Sequence, residues 1–431
     1  GIMKFVAVLV TLVLFYILHQ MKERGVSFGL RVITGTIAGL ILGFVFRGNT
    51  EYVSIFGSIY VNLLYAMVIP LLLTTIVRTM LNTGSLTKLR SVGLKSVGIL
   101  SLHNVLGSLI GLILAVAFKI GQGVHFDVPV DSEIREVPTF AETITNFFPS
   151  NIVSNAAEGQ VVPIIIFSVL VGLAALKLIE SGKEETVRPF AAFTNSFAEI
   201  IFKLTSMITS LTPYAVLALM TNAVGRVDST AIAPFILILV LNYVASVIHT
   251  FLGTGILVSS FAKVNPIAYF KKVWPVTMIG FTTQSSMGAI PANVENLREK
   301  QGVAEEIASF TAPLGATMGM PGCAGFWPVM NAIFVANMMG LGWGAGDYIK
   351  LVLIALLVSL GTVGVPGTAT ITTTALFAAM GLPLEMVVLL APISTLADMG
   401  RTATNVTAAN SSALIVAASE DKLNREVFNR A

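Results

Sequence analysis

Hydrophobic blocks of twenty or more residues recur from one end of this chain to the other. Each is long enough to cross a hydrocarbon core of about 30 Å. Charged residues make up 11% of the chain and hydrophobic ones 55%. A soluble domain carries roughly 25% charge, so most of this surface must face something apolar. The predicted fold class is an all-α integral membrane protein. The run Phe5 to Leu18 has the length of a signal-peptide core. No small-residue cleavage site follows it, and Lys22, Glu23 and Arg24 do, so it reads as a retained helix.

The remaining charge is sorted by side. Spanning helices keep Lys and Arg in cytoplasmic loops. When the blocks are walked with alternating sides, Lys22, Arg24, Arg31, Arg78, Lys88, Arg90 and Lys95 share a side. Lys177, Lys183, Arg188, Lys263, Lys271, Lys272, Arg298, Lys300, Lys422, Arg425 and Arg430 join them. The other side receives Lys4, Arg47, Lys119, Arg135, Arg226 and Lys350, and an acidic loop with Asp127, Asp131, Glu133 and Glu136. This places the C-terminus in the cytoplasm, and the N-terminus outside if the first helix spans. The net charge of +3 then reflects topology and implies no nucleic-acid partner. Cys323 is the only cysteine, so no disulfide framework or cysteine metal site is available. The histidines (His19, His103, His125, His249) show no ligand spacing, and no phosphate loop or dinucleotide fingerprint is present. No cofactor is expected.

Plain spanning helices are predicted over about residues 3–20, 28–46, 52–81 and 92–118. A broken region follows from about 140 to 178, then long helices at about 190–222 and 231–262. The second half differs. Four apolar runs there are interrupted by small polar residues: Phe281–Pro291, Pro313–Gly325, Gly361–Thr370 and Asp398–Asn405. The first and third have arms too short to span separately and read as re-entrant hairpins; the second and fourth read as the middles of long helices. Any one alone is compatible with a kinked helix, because Gly, Ser and Thr are common at membrane helix contacts. Irregular backbone at membrane depth is tolerated only where protein buries it or it lines a cavity. Paired interruptions in two repeats therefore point to a transporter's binding site.

Asp398, Arg401, Thr402 and Asn405 are spaced to share one face of a helix in an apolar run. Ionisable groups at that depth are costly and functional by default. Arg401 offers a planar fork for a carboxylate, Asp398 accepts from an ammonium, and Asn405 both donates and accepts. The alternative is an internal Asp398–Arg401 salt bridge between i and i+3. At the first hairpin tip, Ser285 and Ser286 bring hydroxyls and N–H groups to a half-helix end, which attracts carboxylates. Val365-Pro366-Gly367 cannot carry a full helical ladder, which frees backbone groups there for ligand or cation.

These stretches resemble the dicarboxylate/amino-acid:cation symporter family, with the glutamate-transporter fold, and within it the bacterial L-cystine importers. The resemblance is carried by Tyr269–Val276, Ser285-Ser286 with Ile290-Pro291, Gly315–Thr317 leading to Gly322–Gly325, and Asp398–Ala403 with Asn405-Val406. Thr212–Thr221 and Ala174–Leu178 add to it. It implies eight spanning helices and two re-entrant helical hairpins, plus an extra N-terminal helix at 1–24. It further implies a scaffold and trimerisation part at 25–262, a transport core at 263–418 and a cytoplasmic tail at 419–431, assembled as a homotrimer in the cell membrane. By resemblance, Asp398 would bind the substrate amino group, and Asn405 with the Ser286 backbone the α-carboxylate. Arg401, Thr402 and Cys323 would face its distal part, Ser285 would belong to the same tip, and Val365, Pro366, Gly367, Thr368 and Ala369 would form a gate.

The chain departs from the sodium-coupled relatives at several points. Gly319 and Pro321 stand where those relatives carry an Asn and an Asp around the Met, and Ala409 stands where they carry an Asp. Gly and Ala offer no side-chain oxygen to a hard cation. The family site that uses mainly backbone carbonyls, near Thr317, Met320, Ser359, Leu360 and Thr362, would remain. Gln284 replaces an Arg found in many relatives. By resemblance, His103 stands where sodium-coupled relatives place a small hydroxyl residue. An imidazole exchanges protons near neutral pH, which makes His103 a possible proton site. The alternative is a neutral packing histidine bonded to Asn104 or a backbone carbonyl. The expected function is uptake of L-cystine coupled to Na+ or H+, by alternating access. Acidic amino acids or C4-dicarboxylates are the alternative substrates, and a channel the alternative class.

Overall fold

The computed structural model describes residues 1–26, 28–83, 89–125, 140–158, 160–226, 232–286, 289–360 and 367–431. It is helical; among the described residues the only β contact is an isolated bridge between Val303 and Leu423. The first half comprises α1 (Ile2–Glu23), α2 (Phe28–Val45), α3 (Ser54–Thr83) and α4 (Leu94–Ala117). The short α5 (Phe140–Asn146) and α6 (Ile152–Ala157) lead into α7 (Val161–Glu180), then α8 (Glu184–Thr209), α9 (Thr212–Arg226) and α10 (Ile232–Val247). The chain stays helical beyond α10 to Ala262 through two wide π turns, Ile248–Gly253 and Val258–Ala262. Among the described residues, three stretches are individually long and apolar enough to cross a membrane: Ile2–Glu23, Arg90–Ala117 and Pro234–Ala262.

The faces of these helices are arranged for lipid. On α2, Leu30, Ile33, Ile37, Ile41 and Phe44 follow helical spacing and are all exposed. The opposite face carries Gly35, Gly39 and Gly43, which lie on the backbone and side chains of α9. A Cβ at Gly39 would sit 2.6 Å from the Leu217 carbonyl oxygen. Small residues every fourth position let two backbones meet without a hydrophobic driving force, as membrane helices require.

The single long helix expected at about 190–222 is two helices. Pro213 lacks the N–H that would continue the ladder, and its ring opposes the preceding turn. The chain ends α8 at Thr209 and restarts with Pro213 at the second position of α9, where the missing donor costs nothing. As a result α8 packs on α3 and α7, while α9 packs on α2, α3 and the last long helix.

In the second half, α11 (Pro266–Thr283) starts from an Asn265 cap and stops at Gln284, which is left-handed at φ 56°. The chain returns along α12 (Ile290–Glu295) and a π turn, Asn296–Lys300. Asn296 Nδ2 donates to the Lys272 carbonyl at 2.8 Å, closing the two arms. Next come α13 (Glu305–Gly315), a π turn at Gly322–Phe326, α14 (Trp327–Met338), α15 (Ala345–Ser359) and α16 (Thr368–Met380). The chain closes with the 35-residue α17 (Glu385–Ser419) and the short α18 (Arg425–Asn429). The run Asp398–Asn405 does lie mid-helix, in α17. The run Pro313–Gly325 does not: it interrupts the helix between Gly315 and Gly322, with Gly319 at φ 68°.

Some of the basic residues assigned to one side by sequence lie close to the C-terminal segment. Lys95 and Ser91 each bond Glu420 at 2.8 Å, and Lys272 Nζ donates to the Lys300 and Arg430 carbonyls. Arg425 reaches the Ala262 carbonyl at 2.9 Å. The Lys95 bond, then that from Ser91, holds the Glu420 carboxyl below its usual range.

Candidate functional site

Helix α17 is the spine of the site, and α11 runs antiparallel to it. Tyr269 donates to Asn410 Oδ1 at 3.0 Å, Thr277 and Thr407 hydroxyls meet at 2.6 Å, and Gly280 lies against Val406 and the Thr402 carbonyl. That register carries the tip at Ser285 and Ser286 toward the turn Asp398–Thr402. Ser286 and Gln284 are buried there.

The interrupted stretch closes on α17 from the other side. Gly322 N–H donates to Asn405 Oδ1 at 2.8 Å, and Asn405 Nδ2 donates to Cys323 Sγ at 3.1 Å. Only glycine fits at 322, since a Cβ would lie 2.8 Å from the Arg401 carbonyl oxygen. Thr372 of α16 donates to the Cys323 carbonyl, tying a third element to the same point. On the spine, Asp398 Oδ1 accepts from Thr402 Oγ1 at 3.3 Å and from Arg401 Nη2 at 3.4 Å, with Cys323 Sγ 3.9 Å away. Arg401 Nη2 also donates to the Ser394 carbonyl at 2.6 Å.

The structure thus brings Cys323, Asp398, Arg401, Thr402 and Asn405 into one buried cluster. The internal Asp398–Arg401 pair weighed as the alternative is present, as a single long contact. Among the described residues, Arg401 Nε and Nη1 are buried without a hydrogen-bond partner. Buried donors are almost always satisfied, so two open positions on a buried cation mark where a ligand's anionic or polar group would bond. Trp327, which sequence reasoning did not single out, holds that cation. The Arg401 Cζ lies 4.6 Å from the centre of its ring. Gly367 (φ 94°) precedes α16, and Thr368 and Ala369 are buried in its first turn. Val365 and Pro366 lie outside the described residues, as does Thr362.

The expected cation ligands fall around the interruption. Gly319 N–H donates to the Ser359 carbonyl at 2.8 Å, which brings Met320 beside the end of α15 and Leu360. Asn104 Nδ2 donates to the Met320 carbonyl at 3.1 Å. The Thr317 and Ser359 hydroxyls turn back to the Leu314 and Leu356 carbonyls. The Met320 and Ser359 carbonyl oxygens accept the bonds from Asn104 and Gly319, and carbonyl oxygen is the ligand type a hard cation takes. Gly319 is left-handed against the Leu100 backbone, so no side-chain ligand fits there. His103, the residue before Asn104, is buried; its ring partners are Ser411 and His249 rather than Asn104 or a backbone carbonyl. Two histidines without ligand spacing in sequence therefore meet in space.

The model of the sodium:dicarboxylate symporter family matches residues 28–419. The L-cystine uptake protein TcyP of Bacillus thuringiensis (strain Al Hakam) is 30% identical, over 98% of this chain and 96% of that protein. TcyP of Bacillus licheniformis is 29% identical over the same shares. An uncharacterized symporter of Haemophilus influenzae is 31% identical, over 91% of this chain and 94% of its own. With that match across nearly its whole length, the chain belongs to the sodium:dicarboxylate symporter family and is a secondary transporter, not an enzyme.

Proposed function

We propose that this protein imports L-cystine by cation-coupled alternating access across the cell membrane. The observation that carries the reading is the buried Arg401 beside Asp398, with two donor nitrogens that have no partner among the described residues. Cystine is bipolar at both ends. Asp398 takes one ammonium, and the Asn405 amide with the Ser286 backbone takes the neighbouring carboxylate. Arg401, Thr402 and Cys323 receive the distal half, and Ser285 and Gly367 to Ala369, with Val365 and Pro366, close over it. The relatives named for L-cystine uptake support the same substrate. The coupling cation, sodium by the family's name, is held by carbonyls at Thr317, Met320, Ser359, Leu360 and Thr362. The transport core is 263–418, carried by a scaffold at 25–262 in a homotrimer with the C-terminus in the cytoplasm.

The second reading is an acidic amino-acid or C4-dicarboxylate symporter, favoured by the family's name. A dicarboxylate without an ammonium leaves Asp398 as an unmatched anion beside the ligand. A passive channel has no use for a buried Asp–Arg–Asn cluster. Uptake of labelled cystine, aspartate and succinate into proteoliposomes under imposed gradients separates the three. Cystine is expected to accumulate and to be displaced weakly by aspartate. Aspartate uptake that cystine fails to inhibit would overturn the assignment.

A further inference from the structure

His103 on α4 and His249 in the π turn that follows α10 are both fully buried. Their rings face each other with centroids 5.2 Å apart, and His103 Nδ1 lies 3.4 Å from His249 Nε2. π turns inside helices are rare and recur at functional sites. The hydrogen bonds assign every proton of the pair. His249 Nε2 is 3.1 Å from the His103 carbonyl oxygen, which can only accept, so Nε2 carries the hydrogen. His103 Nδ1, facing that same N–H, must present its lone pair. His103 therefore carries its hydrogen on Nε2 and donates to Ser411 Oγ at 2.9 Å. Ser411 in turn donates to the Ala408 carbonyl at 3.0 Å. The chain of donors runs one way, and it leaves one open acceptor: His249 Nδ1 is buried with no partner among the described residues.

We propose that His103 and His249 form a single-proton site, through which a proton is carried with the substrate; this rests on the transport reading above. The incoming proton binds the His249 Nδ1 lone pair. The ring becomes an imidazolium whose Nε2–H bonds to His103 are strengthened by the charge. The proton leaves from the same atom on the other side of the membrane, so no bond is otherwise made or broken. A second proton is excluded because it would place a second cation on the adjacent ring. Among the described residues no carboxylate or other base competes for it. Lys95 on α4 is paired with Glu420, and Asp398 and Arg401 on α17 pair with each other. Cys323 faces Asn405, while Tyr269 of α11 bonds Asn410 and lies beside Ser411. Tyr243 of α10 donates to the Leu396 carbonyl, Lys350 of α15 interacts with Asp347 and Glu142, and Glu305 of α13 lies by Arg298.

The pair is wired to the substrate cluster through both neighbouring residues. Asn104, after His103, donates to the Met320 and Ala324 carbonyls that bracket Cys323. Thr250, after His249, shares a hydrogen bond of 2.9 Å with Thr404, the residue before Asn405. A charge on the pair thus acts on the two segments that hold the Cys323–Asn405 contact.

The test is uptake of labelled L-cystine into proteoliposomes with sodium equal on both sides and the membrane potential clamped. One proton per substrate lets an inward gradient raise accumulation by up to about tenfold per pH unit. The ratio of accumulation with and without the gradient is expected to rise in the wild type and to stay near one in His103→Gln and His249→Gln. Variants that respond like the wild type would overturn the proposal, as would a wild type that accumulates cystine with no response. If cystine is not carried at all, the function proposed above fails, and the same ratio is read with whichever of aspartate or succinate is carried. Should a variant not elute as folded protein, calorimetry on the wild type decides. Binding of the carried substrate in buffers of different ionisation enthalpy must show proton uptake, and its absence at every pH would overturn the proposal.

Discussion

At Arg401 three kinds of contact meet on one side chain: a single long bond to Asp398, a carbonyl bond to Ser394, and the face of Trp327. The cation is held in place while Nε and Nη1 have no partner among the described residues. Removing one partner of a buried charged contact costs about 2–5 kcal/mol. Arg401→Ala is therefore expected to weaken cystine binding by more than tenfold and to affect a small neutral amino acid less, as measured by equilibrium binding to purified protein. Unchanged cystine affinity would make Arg401 a structural residue only. Asp398→Asn is expected to abolish binding of any ammonium-bearing substrate. Trp327 is argued to act through Arg401. A desolvated cation–π contact contributes about 2 kcal/mol, so Trp327→Leu should raise the cystine KM severalfold, and Trp327→Phe, which restores a ring, should recover most of it. Equal losses in the two variants would mean that Trp327 only fills space. Nothing in the sequence marked Trp327, because a tryptophan in an apolar run reads as packing until its neighbour across the fold is known. His249 was illegible for the same reason: its partner is 146 positions away.

At the scale of elements, much was legible. Asp398, Arg401, Thr402 and Asn405 fall on one face of α17 as their spacing requires, because a helix period is a local property. The stop after α11 was legible too, since Gln284-Ser285-Ser286 interrupts an apolar run. Less legible were breaks decided by packing. The Pro313–Gly325 run reads as mid-helix by its apolar flanks, yet Gly319 turns left-handed against the Leu100 backbone and Gly322 lies on Arg401. Overpacking of such a contact costs about 1–3 kcal/mol. Gly322→Ala is expected to lower the Tm and, by pushing α17 away from Cys323, to weaken substrate binding; a variant with wild-type Tm and affinity would show that the contact is soft. The end of α17 gives a separate test. The bonds from Lys95 and Ser91 depress the Glu420 carboxyl. A depressed acid stabilises the fold above its unfolded value, and that stability is lost as pH falls through the lower folded value. The Tm of Glu420→Gln should therefore lie slightly below wild type at neutral pH and match it in acid. A gap that persists in acid would assign the effect to lost packing.

On the scale of the whole molecule, the two halves differ in the kind of contact they make. Helices α2 and α9 meet through glycines and turn their apolar side chains outward, which suits a scaffold held in lipid. Helices α11 to α17 turn polar side chains inward onto one spine, which suits a part that carries a solute. Sodium coupling must be read against that inner part. Side-chain oxygens are missing at Gly319, Pro321 and Ala409, and Gly315 packs so closely on Ala409 that a larger residue there has no room. The proposed site for a hard cation is then the group of carbonyls around Met320 and Ser359. The expected stoichiometry is at most one sodium ion per substrate, lower than a transporter with three complete sites. Within the cluster, Thr317→Ala should leave sodium dependence nearly intact, because the ligand proposed there is the Thr317 backbone carbonyl, which the substitution leaves in place. Substitution of Met320 should matter more, because its buried side chain sets the position of a carbonyl that also holds Asn104. The measurement is the reversal potential of substrate-driven flux in proteoliposomes at several sodium gradients. A value that requires three sodium ions per substrate would refute the single site, and a value independent of sodium would leave the proton as the coupling ion.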